Sequence, residues 1–320
     1  MNCNNYLNVD IFDAIHQVIE KRKIFHNEAD FQFSLAWKIK EMNKDLEVRL
    51  ERVCSLNNKN CYIDIYLNGN NKIIPIELKY KTNNIEVFEG DEPYSLKKQG
   101  AKDLACYDYI KDICRIESIM KCDDTFQVGY AVFLTNDSSY VNIPRENSGY
   151  LDFSFEIGKN ITKGIKCWGE NLGDGTTKGR HPIELNNEYS VDWITYDNYP
   201  GSKNGKFYST VAIIRDYSKL KEQISRLFFD LQKNDYNEKS IIYKIIELIN
   251  EHCLLEGKSY QDYLQDIKNN WNISKLNINQ CGLYLKYIIA NERFGEGFIH
   301  KCFVNGTISS ILFQMLDLLD

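Results

Sequence analysis

The sequence predicts an α/β protein with a mixed central sheet flanked by helices, followed by an α-helical domain. Three observations carry that reading. Up to about residue 217, runs with a repeat of two alternate with runs of helical period. Beyond it, nearly every apolar residue recurs at helical spacing. The 320 residues are 43% hydrophobic and 13% aromatic, enough for a sizeable core and incompatible with intrinsic disorder. The change of character divides the chain into 1–217 and 218–320.

In chain order, residues 8–23 form a first helix. A second starts at Asn27, whose side chain suits an N-cap, and runs to about Met42. Residues 46–54 (LEVRLERVC) alternate apolar and polar, the mark of a strand. Residues 61–67 (CYIDIYL) and 72–80 (KIIPIELKY) are two more, joined by the turn Asn68-Gly69-Asn70-Asn71. A long helix is expected over 94–120, then a strongly apolar strand over 126–134 (FQVGYAVFL). A polar, glycine-rich stretch at 156–187 precedes strands at 189–196 and 207–215. In the second part, Leu220, Ile224, Leu227, Phe228 and Leu231 line one helical stripe, and Ile241, Ile242, Ile245, Leu248, Ile249 and Cys253 another. Further helices are expected at 259–270, 278–292 and 307–319.

Composition excludes several classes. A net charge of −6 rules out a passive nucleic-acid coat, which needs a large basic excess. It leaves room for an enzyme that meets nucleic acid through a small patch and a metal ion. No run approaches the roughly 18 apolar residues of a membrane span. The N-terminal segment lacks the basic start and apolar core of a secretory signal, so a cytoplasmic protein without a membrane partner is expected. None of the ten cysteines forms a CxxC pair, and the five histidines form no HxH or HExxH, so free thiols are expected rather than a zinc site. Dinucleotide, kinase and Walker glycine motifs are absent.

The hairpin 61–80 gathers chemistry on one face. With a four-residue turn, residue 67 faces 72, Asp64 lies opposite Pro75, and Glu77 is its diagonal neighbour. Alternation puts Asp64, Glu77 and Lys79 together and sends Ile63, Ile65, Leu67, Ile74, Ile76 and Leu78 to the other face. Two close carboxylates repel unless a positive charge sits with them. Mg²⁺ or Mn²⁺ suits hard oxygen ligands and keeps places for water and phosphate. A lysine beside the ion can hold or help deprotonate the attacking water and offset charge on a scissile phosphate. A polar strand face that merely meets solvent is the plain alternative.

Asp64 followed by Glu77-Leu78-Lys79 at the end of the next strand resembles the signature of the PD-(D/E)XK nuclease superfamily, as does the order helix, three strands, helix, strand. The resemblance covers 26–135 well, 136–215 loosely and 216–320 not at all. One position departs: Ile63 stands where a proline often precedes the first acid. The resemblance implies a restriction-endonuclease-like core. It makes Asp64, Glu77 and the carbonyl of Leu78 metal ligands for Mg²⁺ or Mn²⁺, Lys79 the catalytic lysine, and Glu28 an accessory ligand or water-orienting acid. It implies a metal-dependent nuclease acting on DNA, in a restriction or phage-defence setting. A ribonuclease, or a non-catalytic nucleic-acid or partner-binding protein on the same fold, remains open at this point.

Other residues are candidates for substrate contact. Gln99 and Lys102 are placed on one face of the expected helix 94–120 with Asp103 and Tyr107, and Lys97 and Lys98 lie beside them. Lys178 and Arg180 sit in the loop 169–182 (GENLGDGTTKGRHP), where free amides and cations suit phosphate. Trp168 and Trp193 flank that loop and are read as aromatic core. Glu47, Arg49 and Glu51 share a strand face, and Glu51 can join the metal site if that face matches that of Asp64. The last 105 residues carry twelve basic and fourteen acidic residues. That suits a partner protein, self-association or a lid rather than a DNA-reading module.

Overall fold

The structure, a computed structural model, describes residues 10–319 except 57–58, 70–71, 123–124, 127, 171, 234–235, 253, 255–266, 268–271 and 293–296. It is α/β and divides into two compact units. One is Ala14–Arg215; the other is Asp216–Asp320 with the N-terminal end of the chain up to Asp13. Helix α1 (Ile11–Lys21) straddles that division.

The first unit holds a mixed six-stranded sheet in the order β1-β2-β3-β6-β10-β9. Its strands are β1 (Glu47–Leu56), β2 (Lys59–Gly69), β3 (Lys72–Lys81), β6 (Val128–Thr135), β9 (Ile194–Asp197) and β10 (Lys206–Arg215). Pairing is antiparallel except between β3 and β6. Helix α2 (Glu28–Met42) covers one face of β1–β3, and α3 (Lys102–Met120) spans β3, β6 and β10 on the other. All eight residues of β6 are buried, as a strand covered on both sides requires. The N-cap Asn27 accepts from the Asp30 N–H at 2.9 Å, as the sequence led one to expect.

Three expectations about this unit are corrected. The β2–β3 ladder pairs Gly69 with Lys72 and Ile65 with Ile76, two residues out of the expected register. The strand runs on through Asn68 because β1 holds it there: Asn68 pairs with Glu47 and donates its side-chain N–H to the Glu47 carboxylate at 2.9 Å. A slip of two preserves the faces, and it brings Asp64 level with Glu77 rather than diagonal to it. The remaining turn, 70–71, lies outside the described residues.

The second correction concerns 94–120. Helix α3 begins only at Lys102, after a hairpin of β4 (Ile85–Glu89) and β5 (Glu92–Leu96). Gly90, at φ 61, takes the first place of its two-residue turn. Buried Ile85, Tyr94 and Leu96 show the period of two that the helical reading passed over. Gln99 therefore precedes the helix and shares no helical face with Lys102 and Tyr107.

In the polar stretch, β7 (Gly164–Lys166) pairs with β8 (Ile183–Leu185), with a short helix α4 (Asp174–Thr177) between them. The expected strand 189–196 is the shorter, later β9.

Helix α3 lies close to the sheet because Gly129 lets it. A Cβ there would meet Ile116 Cγ2 at 2.5 Å and Pro75 Cγ at 3.0 Å. Gly129→Ala is expected to destabilise the protein by about 1–3 kcal/mol through overpacking. A urea titration would register this as a lower midpoint at an unchanged slope, and an unchanged midpoint would refute the close approach.

The second unit is helical: α5 (Tyr217–Leu231), α6 (Glu238–Glu251), α7 (Ile278–Asn291), α8 (Phe298–Val304) and α9 (Thr307–Asp317). Leu220, Ile224, Leu227, Ile241, Ile245, Leu248 and Ile249 fall in one buried cluster, the stripes that helical spacing predicts. Asp216, Asn237 and Asn277 cap their helices by accepting backbone N–H bonds, Asn277 in a reciprocal box with Gln280. The expected helix 259–270, apart from buried Ile267, and the stripe residue Cys253 lie outside the described residues. Among the described residues, no helix is long and apolar enough to cross a membrane, and the eight cysteines seen are free.

Candidate functional site

The site forms where β2 and β3 part. Their ladder ends at Ile65–Ile76, and from Ile76 onward β3 pairs with β6. The Leu78 N–H turns to Asp64, donating to Oδ2 at 2.6 Å. Two residues on, the Tyr80 N–H donates to Glu28 Oε2 at 2.7 Å. Two carboxylates thus replace a neighbouring strand as partners of β3. Arg22 fixes the first turn of α2, from which Glu28 projects, by donating to Asp30 Oδ1 at 2.6 Å and Oδ2 at 2.7 Å.

On the other side, Glu51 faces Asp64 across β1–β2 at a gap in the ladder, with its backbone in the left-handed region at φ 50. Gln32, one turn beyond Glu28, bridges this gap. Its Nε2 donates to the Asp64 carbonyl at 2.7 Å and to Glu51 Oε1 at 2.8 Å. Glu47 and Arg49 instead form a surface ion pair with each other.

The polar face of the hairpin is not solvated. Helix α3 lies over it, leaving Glu77 only 1% exposed. Arg115 Nη1 donates to Glu77 Oε1 at 2.5 Å, and Nη2 lies 2.9 Å from Asp112 Oδ1. Lys79 Nζ lies 2.6 Å from Asp112 Oδ2. Asp64, Glu77, Asp112, Lys79 and Arg115 form one network, with three acids against two bases.

Its electrostatics follow from burial. Desolvation lifts the Asp64 carboxyl to about 6; the Leu78 N–H and Lys79 oppose the rise, and Asp112 and Glu28 add to it. Desolvation, then the Asp112 charge, pushes Glu77 well above the carboxylate range against the pull of Arg115. Burial alone would lower the Lys79 ammonium, but Asp112 outweighs it and raises the group further. The pairing with Asp112 thus favours the charged form of Lys79.

The remaining candidates lie elsewhere in the fold. Gln99 is exposed in the loop before α3, where its backbone N–H donates to the Thr82 carbonyl at 2.9 Å. Lys97 and Lys98 are exposed beside it. Lys102 opens α3 but turns to the Ser139 carbonyl and to the rings of Tyr140 and Tyr150. Lys178 is exposed at the end of α4, and Arg180 donates to the Thr176 carbonyl at 3.0 Å. Tyr107 stacks on Trp168 and donates to the His181 carbonyl at 3.0 Å, and Trp193 donates to the Phe155 carbonyl at 2.9 Å. These rings belong to the core packed around α3.

Asp112 and Arg115 were not singled out from the sequence. A signal existed: positions 109, 112, 113 and 116 make one stripe of α3, and an aspartate stands in it among buried Tyr109, Ile113 and Ile116.

Among the described residues, no cluster of three or more His, Cys, Asp or Glu is arranged to hold a metal ion. What is present is a smaller donor set of hard oxygens: Asp64, Glu77 and the Leu78 carbonyl. Glu77 Oε2 is buried without a hydrogen-bond partner. An orphaned buried carboxylate oxygen beside a second carboxylate fits a hard cation.

Glu28→Ala is expected to lower stability by about 1–2 kcal/mol, since it strands the Tyr80 N–H. Glu28→Gln, which keeps an acceptor oxygen, is expected to lose less. Denaturant midpoints of the two variants compare these directly, and equal losses would argue against the bond. No protein-family model, curated protein or solved structure matches the chain.

Proposed function

We propose that this protein is a divalent-metal-dependent nuclease on a restriction-endonuclease-like core, hydrolysing phosphodiester bonds in DNA. The observation that carries the reading is the orphaned Glu77 Oε2, buried beside Asp64 where β2 and β3 part. Asp64, Glu77 and the Leu78 carbonyl would hold Mg²⁺ or Mn²⁺. Once bound, the ion would supply Lewis-acid stabilisation of the phosphate and a more acidic water.

The chain's own residues do the rest. Lys79, held protonated by Asp112, offers positive charge to the developing oxyanion. Glu28, anchored to the Tyr80 N–H, keeps the end of β3 in place and brings a further carboxylate to the rim. Gln32 fixes the Asp64 backbone.

One observation favours a second reading. Lys79 and Arg115 are already ion-paired with carboxylates, as in a purely structural network on a non-catalytic binding protein. Incubation with plasmid, linear DNA and RNA, in Mg²⁺, Mn²⁺ or chelator, separates the two. Metal-dependent cleavage of any of these supports the nuclease. Binding without cleavage under every metal condition supports the alternative, and cleavage confined to RNA makes the enzyme a ribonuclease.

A further inference from the structure

We infer that Arg115 is the resident counter-cation of Glu77, and that a divalent ion must displace it to take that carboxylate. The inference deepens the proposed function and rests on Asp64 and Glu77 being the cation site.

Arg115 reaches the site from α3 as a fork. Nη1 donates to Glu77 Oε1 at 2.5 Å and to the Tyr62 carbonyl at 3.2 Å, while Nη2 holds Asp112. Glu77 is 1% exposed and Asp112 2%, so neither carboxylate can turn to water. In the ion-free protein the guanidinium is the cation paired with Glu77, yet it satisfies only one of the two oxygens.

A guanidinium and a divalent ion on one buried carboxylate repel each other strongly at low dielectric. The two therefore compete. The architecture gives Arg115 somewhere to go: Asp112, three residues before it on the same helix face, already binds its other nitrogen. Asp112 is also the partner of Lys79, 2.6 Å away. Arg115 moving wholly onto Asp112 would loosen that hold and leave the Lys79 ammonium, which also donates to the Leu78 carbonyl at 3.1 Å, more available to a phosphate. In this view one aspartate couples cation entry to release of the lysine.

The test is calorimetric titration of the metal-free full-length protein with MnCl₂, paired with thermal unfolding with and without Mn²⁺. Arg115→Gln is expected to bind Mn²⁺ about tenfold more tightly than wild type, within the usual range of coupling between two ligands of one site. Its Mn²⁺-induced rise in Tm should exceed that of wild type. Asp112→Asn is expected to bind about tenfold more weakly, because Arg115 is then left on Glu77 alone. A general loss of structure would weaken both variants, so opposite signs are the signature.

Arg115→Lys keeps the charge but not the planar fork. It should tighten binding by a smaller factor, and it serves also if Arg115→Gln does not fold. Wild-type affinity in Arg115→Lys, or unchanged or weaker binding in Arg115→Gln, overturns the competition, provided Asp64→Ala abolishes Mn²⁺ binding. Wild-type Mn²⁺ affinity in Asp64→Ala would instead overturn the cation site itself.

Discussion

Asp64→Asn and Lys79→Met are each expected to lower metal-dependent phosphodiester cleavage by about 10³-fold or more, with the fold intact. Asp64 has two roles: one oxygen accepts the Leu78 N–H at 2.6 Å, and the carboxylate charge faces Glu77 and Lys79. Asparagine keeps an acceptor for the backbone bond and loses only the charge. Lys79 is the one ammonium of the network and is held protonated, so methionine removes the charge that would meet the oxyanion while filling the same space. Removing a single preorganised charge or donor of this kind typically costs 10²–10³ in turnover, and losing a proposed metal ligand adds to that. Initial rates on plasmid DNA, with circular dichroism as the control for folding, measure both. Cleavage within tenfold of wild type in either variant would remove that residue from the mechanism.

In metal-free buffer the protein is expected to be more stable at pH 5 than at pH 7.5, by on the order of 2 kcal/mol. Unfolded aspartate and glutamate titrate near about 3.9 and 4.3. In the folded chain, burial raises Asp64 to about 6 and pushes Glu77 upward as well. Between the unfolded and folded values the native state holds protons that the unfolded state has released. The stabilisation is therefore complete at low pH and is lost as pH rises through the folded values. Urea midpoints across this range in the presence of EDTA report it. Asp64→Asn should flatten the dependence, and a wild-type curve that rises with pH would contradict the buried-carboxylate picture. Saturating Mn²⁺ should reverse the trend near neutral pH, since a cation binds the ionised carboxylates.

Much of the site was legible because its signals are local. The alternation of β2 and β3 separates Ile63, Ile65 and Leu67 from Asp64, and Ile74, Ile76 and Leu78 from Glu77 and Lys79; the six apolar residues are all buried. That separation survives a two-residue error in register, because the strand repeat is itself two. The helical stripes of α5 and α6 were readable for the same reason: 3.6-residue spacing needs no knowledge of the partner. The stretch before α3 was misread because Ile85, Tyr94 and Leu96 are spread over a hairpin too short to show a long repeat. Only its pairing, with Gly90 at the turn, reveals it.

By itself, then, the sequence determined the α/β class, the faces of the strands and the grouping of Asp64, Glu77 and Lys79. Tertiary structure decided what those three residues meet. Gly129 admits α3 close to the sheet, and that approach turns a polar strand face into a buried one. Asp112 and Arg115, 35 and 38 positions from Glu77 along the chain, then become the charges that act on it most strongly. No local period records such a meeting: alternation fixes which way a side chain points, and only packing fixes the dielectric around it and the charge it finds there.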